Sequence, residues 1–389
     1  MSQPKQDFLP IAIPDLTEKE ISEVVATLKS GWISVGPRVE RLEQEMAAAQ
    51  GTRHAIAVSS CTAALFLVAK VLEIGPGDVA IVPSMTWPST ANVFEQLGAS
   101  CAFADVDRRT GNITAETIAP LLDEHRGSVK IVVPVHMSGL PVDIDAIEGL
   151  ADQHDVRVVY DAAHAIFSSF RDRPIGSYGT ASCFSFYAIK NLTMGDGGFI
   201  TTDDDELAES IRLWGYHGMN KDAWKRYSEE AASPHVQCVV PGYKMNLTDL
   251  QAALGLVQLR RSEELCAKRN LLVETYNDLL ADVAEVETPI FETENGRWGN
   301  HVYGIRLLDD RIGRDELMDR LRERGIGTNI HFQPVHLHHY YRQKYPDVSL
   351  PNSEWLGERL LSLPLCTVYG ERDVRRVVDA LRETLATIE

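Results

Sequence analysis

Apolar and polar positions follow two alternating patterns between about residue 54 and residue 205. Short apolar runs rich in valine, isoleucine and alanine are separated by segments whose apolar residues recur with a helical period. The runs are typical of buried strands and the segments of helices of about 10–15 residues, so the region predicts a mostly parallel sheet covered by helices. The predicted strands are Ala55–Val58, Val79–Val82, Cys101–Ala104, Ile131–Val135, Val156–Tyr160, Cys183–Phe186 and Phe199–Thr201, and the helices include Thr62–Leu72, Thr90–Leu97, Thr114–Leu122 and Ile144–His154.

The pattern changes in the last third of the chain, where helical periods are longer and strands fewer. This change of pattern favours a smaller C-terminal α/β domain, so we predict a large domain at residues 1–254 and a small domain at residues 255–389. The predicted elements here are a long helix at Leu250–Leu280, a strand at His301–Leu307 and helices at Arg314–Arg324 and Glu371–Ile388.

Composition narrows the classes of function. The 389 residues include 56 acidic and 38 basic side chains, giving a net charge of −18, and a field of this sign repels nucleic acids and acidic membranes. The six cysteines are scattered without metal-type or disulfide-type spacing. The N-terminus lacks a basic segment followed by an apolar one, and no apolar run approaches the roughly 20 residues of a membrane span. We therefore expect a soluble, cytoplasmic protein.

A turn of small hydroxylated residues follows the predicted strand that ends at Val58. The next helix is predicted to begin near Thr62, and the free N–H groups and positive dipole of a helix N-terminus attract anions. Ser60 and Thr62 therefore either bind a phosphate or simply cap the helix, and this segment alone favours neither alternative.

Two polar residues follow the predicted strand Val156–Tyr160, at the edge of the sheet where ligands of such folds bind. Asp161 lies where a carboxylate is costly to bury unless it is paired. It is thus a candidate for a functional ion pair, the alternative being an aspartate that caps a turn. His164 taken alone is more typical of a buried structural histidine.

Lys190 lies between two apolar strands, in a turn that leads to Gly195, Gly197 and Gly198. Lysine is rarely buried because its ammonium group then loses hydration. A desolvated amine gives up its proton readily, as covalent chemistry with a carbonyl compound requires. The segment therefore indicates either a catalytic lysine or an ion pair, and the glycines allow close approach of the main chain.

The order of these features is more specific than any one of them. A phosphate-type turn, then a strand-end aspartate, then a strand-end lysine is the arrangement that a fold-type I pyridoxal-phosphate enzyme needs. Lys190 would hold the cofactor covalently and move a proton, and Asp161 would keep the ring nitrogen protonated so that the ring can accept electrons. We therefore predict an α/β protein that binds pyridoxal 5′-phosphate.

Several longer segments form one pattern along essentially the full length of the chain. They are SGWISVGPRVERLEQEMA (30–47), SSCTAAL (59–65), PSMTWPSTANVFEQLGA (83–99), VHMSGLPVDIDAI (135–147), YDAAHA (160–165), FSFYAIKNLTMGDGG (184–198), PGYKMNLTDLQAALGLVQL (241–259) and GIGTNIHFQPVH (325–336). In these segments the chain resembles the DegT/DnrJ/EryC1/StrS family of sugar aminotransferases. The resemblance implies a fold-type I transferase with a large cofactor-binding domain and a smaller C-terminal domain.

The resemblance also implies roles for individual residues. Trp87 would stack on the pyridine ring, His164 would lie near the 3′-oxygen of the ring, and Ser185 would help to hold the phosphate. The implied cofactor-binding residues are Lys190, Asp161, His164, Ser185, Trp87, Cys61, Thr62, Ser60, Asn246 and Lys244, with His331, Trp32 and Arg226 as candidates for substrate binding.

Members of this family are homodimers with shared active sites, so residues 242–246 would reach the cofactor phosphate of the partner chain. Lys244 and Asn246 depart here from the commonest N-x-R pattern and resemble the branch that makes 4-amino-4-deoxy-arabinose nucleotides, as does HGMNKDAW (217–224). Which of the two residues contacts the phosphate stays open. Cys61 is a milder departure, since glycine or alanine is usual at this place.

The implied reaction transfers an amino group from L-glutamate to a nucleotide-linked keto-sugar, with the carbonyl at C4. Enzymes that act on 3-keto-sugars or cyclitols share the same motifs and are alternatives. A dehydratase branch has histidine in place of the lysine, and a cysteine desulfurase has histidine directly before it, so Ile189 and Lys190 argue against both. A non-catalytic regulator of the same fold should have lost Lys190 or Asp161. The histidines of HLHHYY lack a clear carboxylate or thiolate partner, so no metal site is predicted.

Overall fold

Helices and strands alternate along most of the chain in the computed structural model, which describes residues 8–219, 237–290 and 293–387. The helices are α1 Glu18–Ser30, α2 Pro37–Gln50, α3 Cys61–Val71, α4 Ser89–Leu97, α5 Ala115–Glu124, α6 Ile144–Gln153, α7 Asp205–Gly215, α8 Asp249–Arg260, α9 Ser262–Leu280, α10 Arg314–Glu323, α11 His339–Lys344, α12 Pro351–Arg359 and α13 Glu371–Ala386. The strands are β1 His54–Val58, β2 Val79–Pro83, β3 Ser100–Ala104, β4 Val129–Val132, β5 Arg157–Asp161, β6 Ser169–Phe170, β7 Arg173–Pro174, β8 Ala181–Ser185, β9 Gly198–Thr202, β10 Val286–Glu287, β11 Gly296–Arg297, β12 Tyr303–Leu307 and β13 Leu360–Leu363.

The central sheet has seven strands in the order β1-β9-β8-β5-β4-β2-β3. Strands β3, β2, β4, β5 and β8 are parallel, whereas β9 runs antiparallel to both β1 and β8. The reason lies in residues 186–197, which connect β8 to β9 without a helix, because a parallel return needs a longer crossover. The carboxyl ends of β1, β5 and β8 therefore meet the first residue of β9 at one edge.

Two apolar cores cover the two faces of this sheet. Ile56 and Val58 of β1 contribute to one core, and Ala55 and Ala57 contribute to the other, as the alternation of side chains along a strand requires. Helices α3, α4 and α7 pack in the first of these cores, and α2, α5, α6 and α8 pack in the second. The sheet is thus covered by helices on both faces, as the sequence predicts.

The later part of the chain forms a separate three-stranded sheet, β10-β12-β13, with its own core. Helices α9, α10 and α13 pack against it through residues such as Tyr276, Leu317 and Leu381. A small third sheet joins β6 and β7 to β11. The predicted boundary between residues 254 and 255 falls within α8, and the division into two domains stays a prediction.

The predicted strands of the central sheet are all present, with ends that differ by a few residues. The prediction of one helix at Leu250–Leu280 was wrong, because the helix breaks at Arg261. The N–H group of Arg261 donates to carbonyls at the C-terminus of α8, and its guanidinium forms ion pairs with Asp15 and Glu20 on the N-terminal segment. No helix among the described residues is long and apolar enough to cross a membrane.

Candidate active site

Asp161 is the last residue of β5 and is only 4% exposed. Its Oδ2 accepts a hydrogen bond from the Thr90 hydroxyl at 2.8 Å, and its Oδ1 accepts one from the Ala163 N–H at 3.1 Å and a long one from the Cys61 thiol at 3.8 Å. Burial raises the pKa of Asp161, although these bonds and the charge of Lys190 oppose the rise. A cationic group bound beside this carboxylate would therefore stabilise its ionised form.

Lys190 lies in the connection between β8 and β9, half-buried and close to Asp161. The N–H of Lys190 donates to the carbonyl of Tyr187 at 2.9 Å, and the N–H of Met194 donates to the carbonyl of Phe186 at 3.0 Å, so the segment is a compact turn. Burial lowers the pKa of Lys190 to about 8, against the opposing effect of Asp161. Such an amine is largely unprotonated at mildly alkaline pH, which suits attack on a carbonyl carbon.

The N-terminus of α3 lies at the carboxyl end of β1. The Ser60 hydroxyl accepts a hydrogen bond from the Ala63 N–H at 3.1 Å, so Ser60 caps the helix. The N–H groups of Cys61 and Thr62 lie in the first turn, where a helix has no carbonyl to accept from them. Ser60 therefore caps the helix, as one of the two alternatives predicted. The N–H groups of the same turn are still able to donate to an anion.

Gly198 brings the end of β8 against this turn. It pairs with Val58 on one side and with Ser185 on the other. A Cβ added at Gly198 would lie 2.4 Å from the carbonyl carbon of Ser60 and 2.7 Å from the nitrogen of Cys61, so only glycine fits. Ser185 and the start of α3 thus lie on two sides of the same strand end.

Aromatic rings border the Lys190 turn. The Phe332 ring stacks on the His164 ring with centroids 5.7 Å apart and lies 6.0 Å from the ring of Trp87, which is 63% exposed. Burial, with a contribution from Lys190, lowers the pKa of His164 well below its ordinary value, so the ring is neutral. Its Nδ1 is buried and has no hydrogen-bond partner among the residues described.

The three predicted substrate-binding residues have different outcomes. His331 lies near Lys190. Burial, together with the charge of Lys190, lowers the pKa of His331 to about 4. Trp32 follows α1 half-buried, and in the described part of the chain it makes no hydrogen bond or ring contact with the Lys190 turn or its neighbours. Arg226 and most of segment 217–224 lie outside the described residues.

Lys244 and Asn246 lie on a segment that returns to the start of the central sheet. Asn246 forms an antiparallel bridge with Val58 of the same chain, two residues before the Ser60 cap. The Lys244 ammonium lies 4.0 Å from the centroid of the Tyr216 ring, and burial lowers its pKa. A contact of either residue with a partner's cofactor stays a prediction.

Three residues of this cluster were not predicted from the sequence. Thr90 binds Asp161, and the His301 ring lies 4.5 Å from the His164 ring and bonds through Nδ1 to Asn191 Oδ1 at 2.7 Å. Asn191 could have been found because it directly follows the predicted lysine, and Thr90 because it starts a predicted helix. His301 begins the predicted strand His301–Leu307, but nothing local links it to Asn191, which is 110 positions away.

The histidine-rich segment HLHHYY contains a structural residue. His336 is buried, and its ring bonds Ser84 Oγ at 2.6 Å and Glu354 Oε1 at 3.2 Å. Across residues 8–219, 237–290 and 293–387, no group of three or more histidine, cysteine or acidic side chains is placed to hold a metal ion.

Solved structures of the same fold identify the class of protein. The putative sugar aminotransferase Spr1654 from Streptococcus pneumoniae, in its PMP form, matches with a TM-score of 0.91 and 30% identity over 98% of this chain and 100% of that chain, and its PLP form matches with a TM-score of 0.90. With the lysine and carboxylate at the edge of the sheet, this likeness makes the protein a pyridoxal-phosphate-dependent aminotransferase of fold-type I. More particularly, the chain belongs to the DegT/DnrJ/EryC1/StrS aminotransferase family, which matches residues 14–382.

Relatives of this chain are sugar aminotransferases and a polysaccharide biosynthesis protein. The spore coat polysaccharide biosynthesis protein SpsC of Bacillus subtilis (strain 168) is 43% identical over 388 residues, which is 98% of each chain. DesI, whose structure was determined in the presence of its TDP-sugar product, matches with a TM-score of 0.87 and 30% identity over 98% of this chain and 94% of that chain. These likenesses confirm the predicted family, fold, enzyme class and cofactor, and the chain is a sugar aminotransferase.

The residues present fit pyridoxal phosphate. Lys190 offers an amine with a lowered pKa, and Asp161 offers a buried carboxylate that a cation would stabilise. The first turn of α3 offers N–H groups to an anion. The buried Nδ1 of His164, which has no hydrogen-bond partner among the described residues, is a further polar group in the same cluster. Each polar end of the cofactor therefore has a complementary group among the described residues.

Proposed function

We propose that this enzyme transfers the amino group of L-glutamate to a nucleotide-linked keto-sugar whose carbonyl is at C4. The observation that carries the proposal is the Lys190–Asp161 pair at the edge of the sheet, in a chain related to sugar aminotransferases. The DesI structure was determined with a TDP-sugar product, which favours a nucleotide-linked acceptor. The C4 position rests on the resemblance of residues 241–259 to the 4-amino-4-deoxy-arabinose branch.

Pyridoxal phosphate supplies an aldehyde that takes up the amino group and a protonated ring that accepts electrons from the reacting carbon. In this proposal Lys190 Nζ holds the cofactor covalently and moves a proton to and from the reacting carbon, a task for which a pKa near 8 is suitable. Asp161 keeps a proton on the ring nitrogen, because its buried carboxylate is stabilised by an adjacent cation. Trp87 covers the ring, and His164 borders it.

The phosphate end is proposed to lie at the N-terminus of α3. Ser185, Ser60 and Thr62 contribute hydroxyl groups, and Cys61 contributes its N–H. The positive end of the α3 dipole adds about 0.3–1 kcal/mol for a favourably placed anion. The backbone contact at Gly198 supports this assignment, because it holds Ser185 and the first turn of α3 together.

We further propose that the enzyme is a homodimer with shared active sites. Helix α1 presents an apolar stripe to solvent at Ile21, Val25 and Leu28, which are 51%, 41% and 56% exposed and lie on one helix face. The exposed ring of Trp87 would also be covered by a second chain. Light scattering on the purified protein measures the mass of the assembly and contradicts this proposal if the protein is monomeric.

A mixing experiment tests whether Lys244 or Asn246 acts across the dimer. Lys190→Ala and Asn246→Ala subunits are unfolded together, refolded and compared with each parent. If Asn246 serves the partner's site, each mixed dimer contains one site with both wild-type residues, and activity rises above both parents. If Asn246 serves its own chain, as its bridge with Val58 would allow, no such site forms. The same mixing with Lys244→Ala decides between the two residues.

The experiment that tests the proposed function is spectroscopic. The purified protein is mixed with pyridoxal phosphate, and its absorbance is recorded before and after addition of L-glutamate. We expect a visible band from the lysine-bound cofactor that disappears as 2-oxoglutarate is released, and then turnover with nucleotide-linked 4-keto-sugars.

The possible outcomes separate the alternatives. Turnover with 3-keto-sugars or cyclitols alone would show that the enzyme is a 3-keto-sugar or cyclitol aminotransferase. Failure to respond to glutamate would require another amino donor. A protein that binds the cofactor but transfers no amino group would be a regulator of the same fold. The cytoplasmic location stays a prediction.

A further inference from the structure

The loop that carries His301 is fixed from several sides. The Asn191 amide donates through Nδ2 to the Gly299 carbonyl at 2.6 Å. Arg269, which is buried, donates through Nη1 to the carbonyls of Asn300 and His301 at 3.1 and 3.3 Å. The loop backbone also bonds residues 138–139 through the N–H groups of Gly299 and His301. These bonds place the imidazole with little freedom to move.

Asn191 also determines which nitrogen of His301 carries the proton. Because Nδ2 of the amide donates to Gly299, the amide oxygen faces His301 Nδ1 at 2.7 Å. An oxygen can only accept, so Nδ1 of His301 must be the donor. In the neutral ring the other nitrogen, Nε2, is then a hydrogen-bond acceptor.

His301 is neutral, and its Nε2 is available. Burial, followed by the charge of Lys190, lowers the pKa of His301 well below its ordinary value, and His164, Arg269 and His331 act in the same direction. Within the described chain Nε2 makes no hydrogen bond, and it is not among the buried side-chain atoms that are sealed without a partner. Its ring lies 4.5 Å from that of His164, so it borders the cluster around Lys190.

We propose that His301 is a further substrate-binding residue, whose Nε2 accepts a hydrogen bond from a hydroxyl group of the acceptor sugar. This inference rests on the proposed function. A neutral acceptor discriminates between the two substrates, because the carboxylates of glutamate have no hydrogen to donate and its amine is the reacting group. A sugar presents several hydroxyl donors. His301 therefore serves the second half of the reaction more than the first.

Two substitutions of His301 separate this role from a structural one. His301→Asn keeps a donor at the Nδ1 position for Asn191 and removes the atom at the Nε2 position. His301→Gln keeps a polar atom near Nε2 and loses the bond to Asn191. We expect His301→Asn to lower kcat/KM for the keto-sugar about tenfold, as the loss of one hydrogen bond predicts, and to change the glutamate half-reaction less. His301→Gln should retain more of the sugar half-reaction.

The opposite order, with His301→Gln the weaker enzyme, would show that the histidine only holds the loop and would overturn the proposal. Equal loss in both half-reactions would overturn it as well. His339→Asn, on the exposed start of α11, is the matched control and should match wild type in both.

A second readout needs neither cofactor nor turnover. Nitrogen-15 spectra of the histidine-labelled apoenzyme distinguish the two neutral tautomers, and the signals missing in His301→Asn identify His301. We expect protonation at Nδ1 alone, whereas protonation at Nε2 contradicts the inference. If the wild-type enzyme accepts glutamate but no nucleotide-linked keto-sugar, the proposed sugar substrate is wrong. The tautomer still decides whether Nε2 of His301 can accept a hydrogen bond.

Discussion

Arg261 is a buried basic residue and Lys190 is a half-buried one, and their surroundings differ. The Arg261 guanidinium bonds the carboxylates of Glu20 at 2.7 Å and Asp15 at 2.9 Å, and it also bonds the Asp15 carbonyl at 3.2 Å. Lys190 has no such partner within the described residues, and its neighbours are the Asp161 carboxyl and neutral histidines. One region is a completed network, and the other still has hydrogen-bonding groups to offer.

The pKa values of Glu20, which binds Arg261, and of Asp161, which lies near Lys190, express this difference. Burial alone would raise the pKa of Glu20, but hydrogen bonds from Thr17, Arg261 and Gln258 lower it to about 2. Burial also raises the pKa of Asp161, and there the hydrogen bonds do not outweigh it. The paired network stabilises the folded chain, whereas the site retains unsatisfied groups for a ligand to complete.

The largest expected effect is the loss of activity when Lys190 is replaced. Lys190→Ala removes both the covalent link to the cofactor and the group that moves the proton, so we expect kcat to fall by about 10⁴-fold or more. The apoenzyme should be at least as stable as wild type, because a desolvated charge is removed. Steady-state assays and urea unfolding measure the two quantities, with exposed Lys130→Ala as the control. Retained turnover in Lys190→Ala would contradict the central assignment.

The next effect is on stability, and it should leave the site intact. Glu20→Gln breaks a buried ion pair with Arg261, so we expect the free energy of unfolding to fall by about 3 kcal/mol, with kcat unchanged. Glu264→Gln removes an exposed partner of the same arginine and should cost less than about 1 kcal/mol. Urea unfolding of the apoenzymes measures both changes.

The stabilisation by Glu20 should also depend on pH. Its pKa is about 2 in the folded chain and has an ordinary value of 4.5, so the stabilisation is present above about pH 4.5 and is lost as the pH falls toward 2. The unfolding free energies of wild type and Glu20→Gln should therefore converge over this range. A difference that stays constant down to pH 2 would show that Glu20 acts through packing alone.

The smallest effect concerns the rate at which the apoenzyme binds its cofactor. With the pKa of Lys190 at about 8, the fraction of free amine rises about tenfold per pH unit below that value and levels above it. The rate of appearance of the visible band should follow the same curve. A rate that still rises steeply above pH 9 would mean that Lys190 titrates like an exposed lysine. The same series with Nα-acetyllysine corrects for ionisation of pyridoxal phosphate itself.

Local patterns were sufficient to predict the strands of the central sheet, with ends that differ by a few residues, but not the short strands outside it or β13. Asp161 and Lys190 could be found because each follows an apolar run. A charged residue buried there is costly in free energy unless it is paired or has a function. The antiparallel direction of β9 was not predicted, because periodicity carries no information on the direction in which a strand pairs. The break at Arg261 was also missed, and the carboxylates that Arg261 binds there, Asp15 and Glu20, lie more than 200 positions earlier.

Contacts between distant segments account for the residues that were missed in the site. Thr90 reaches Asp161 across 71 positions, and His301 reaches Asn191 across 110. Each pairing depends on the order of strands in the sheet and on the path of a long loop, which neither composition nor spacing reveals. Trp32, in contrast, was proposed from resemblance alone, and no described contact brings it to the cluster.

The close contact of Gly198 with Ser60 and Cys61 has a consequence for how this enzyme can change its substrate. The ends of β1 and β8 and the first turn of α3 are held together there by main-chain atoms that leave no room for a side chain. In the proposed function this turn binds the cofactor phosphate, so we expect substitutions in other loops to alter which sugar is accepted without moving the phosphate-binding turn. At Gly198 itself, even alanine would push the start of α3 away from β9.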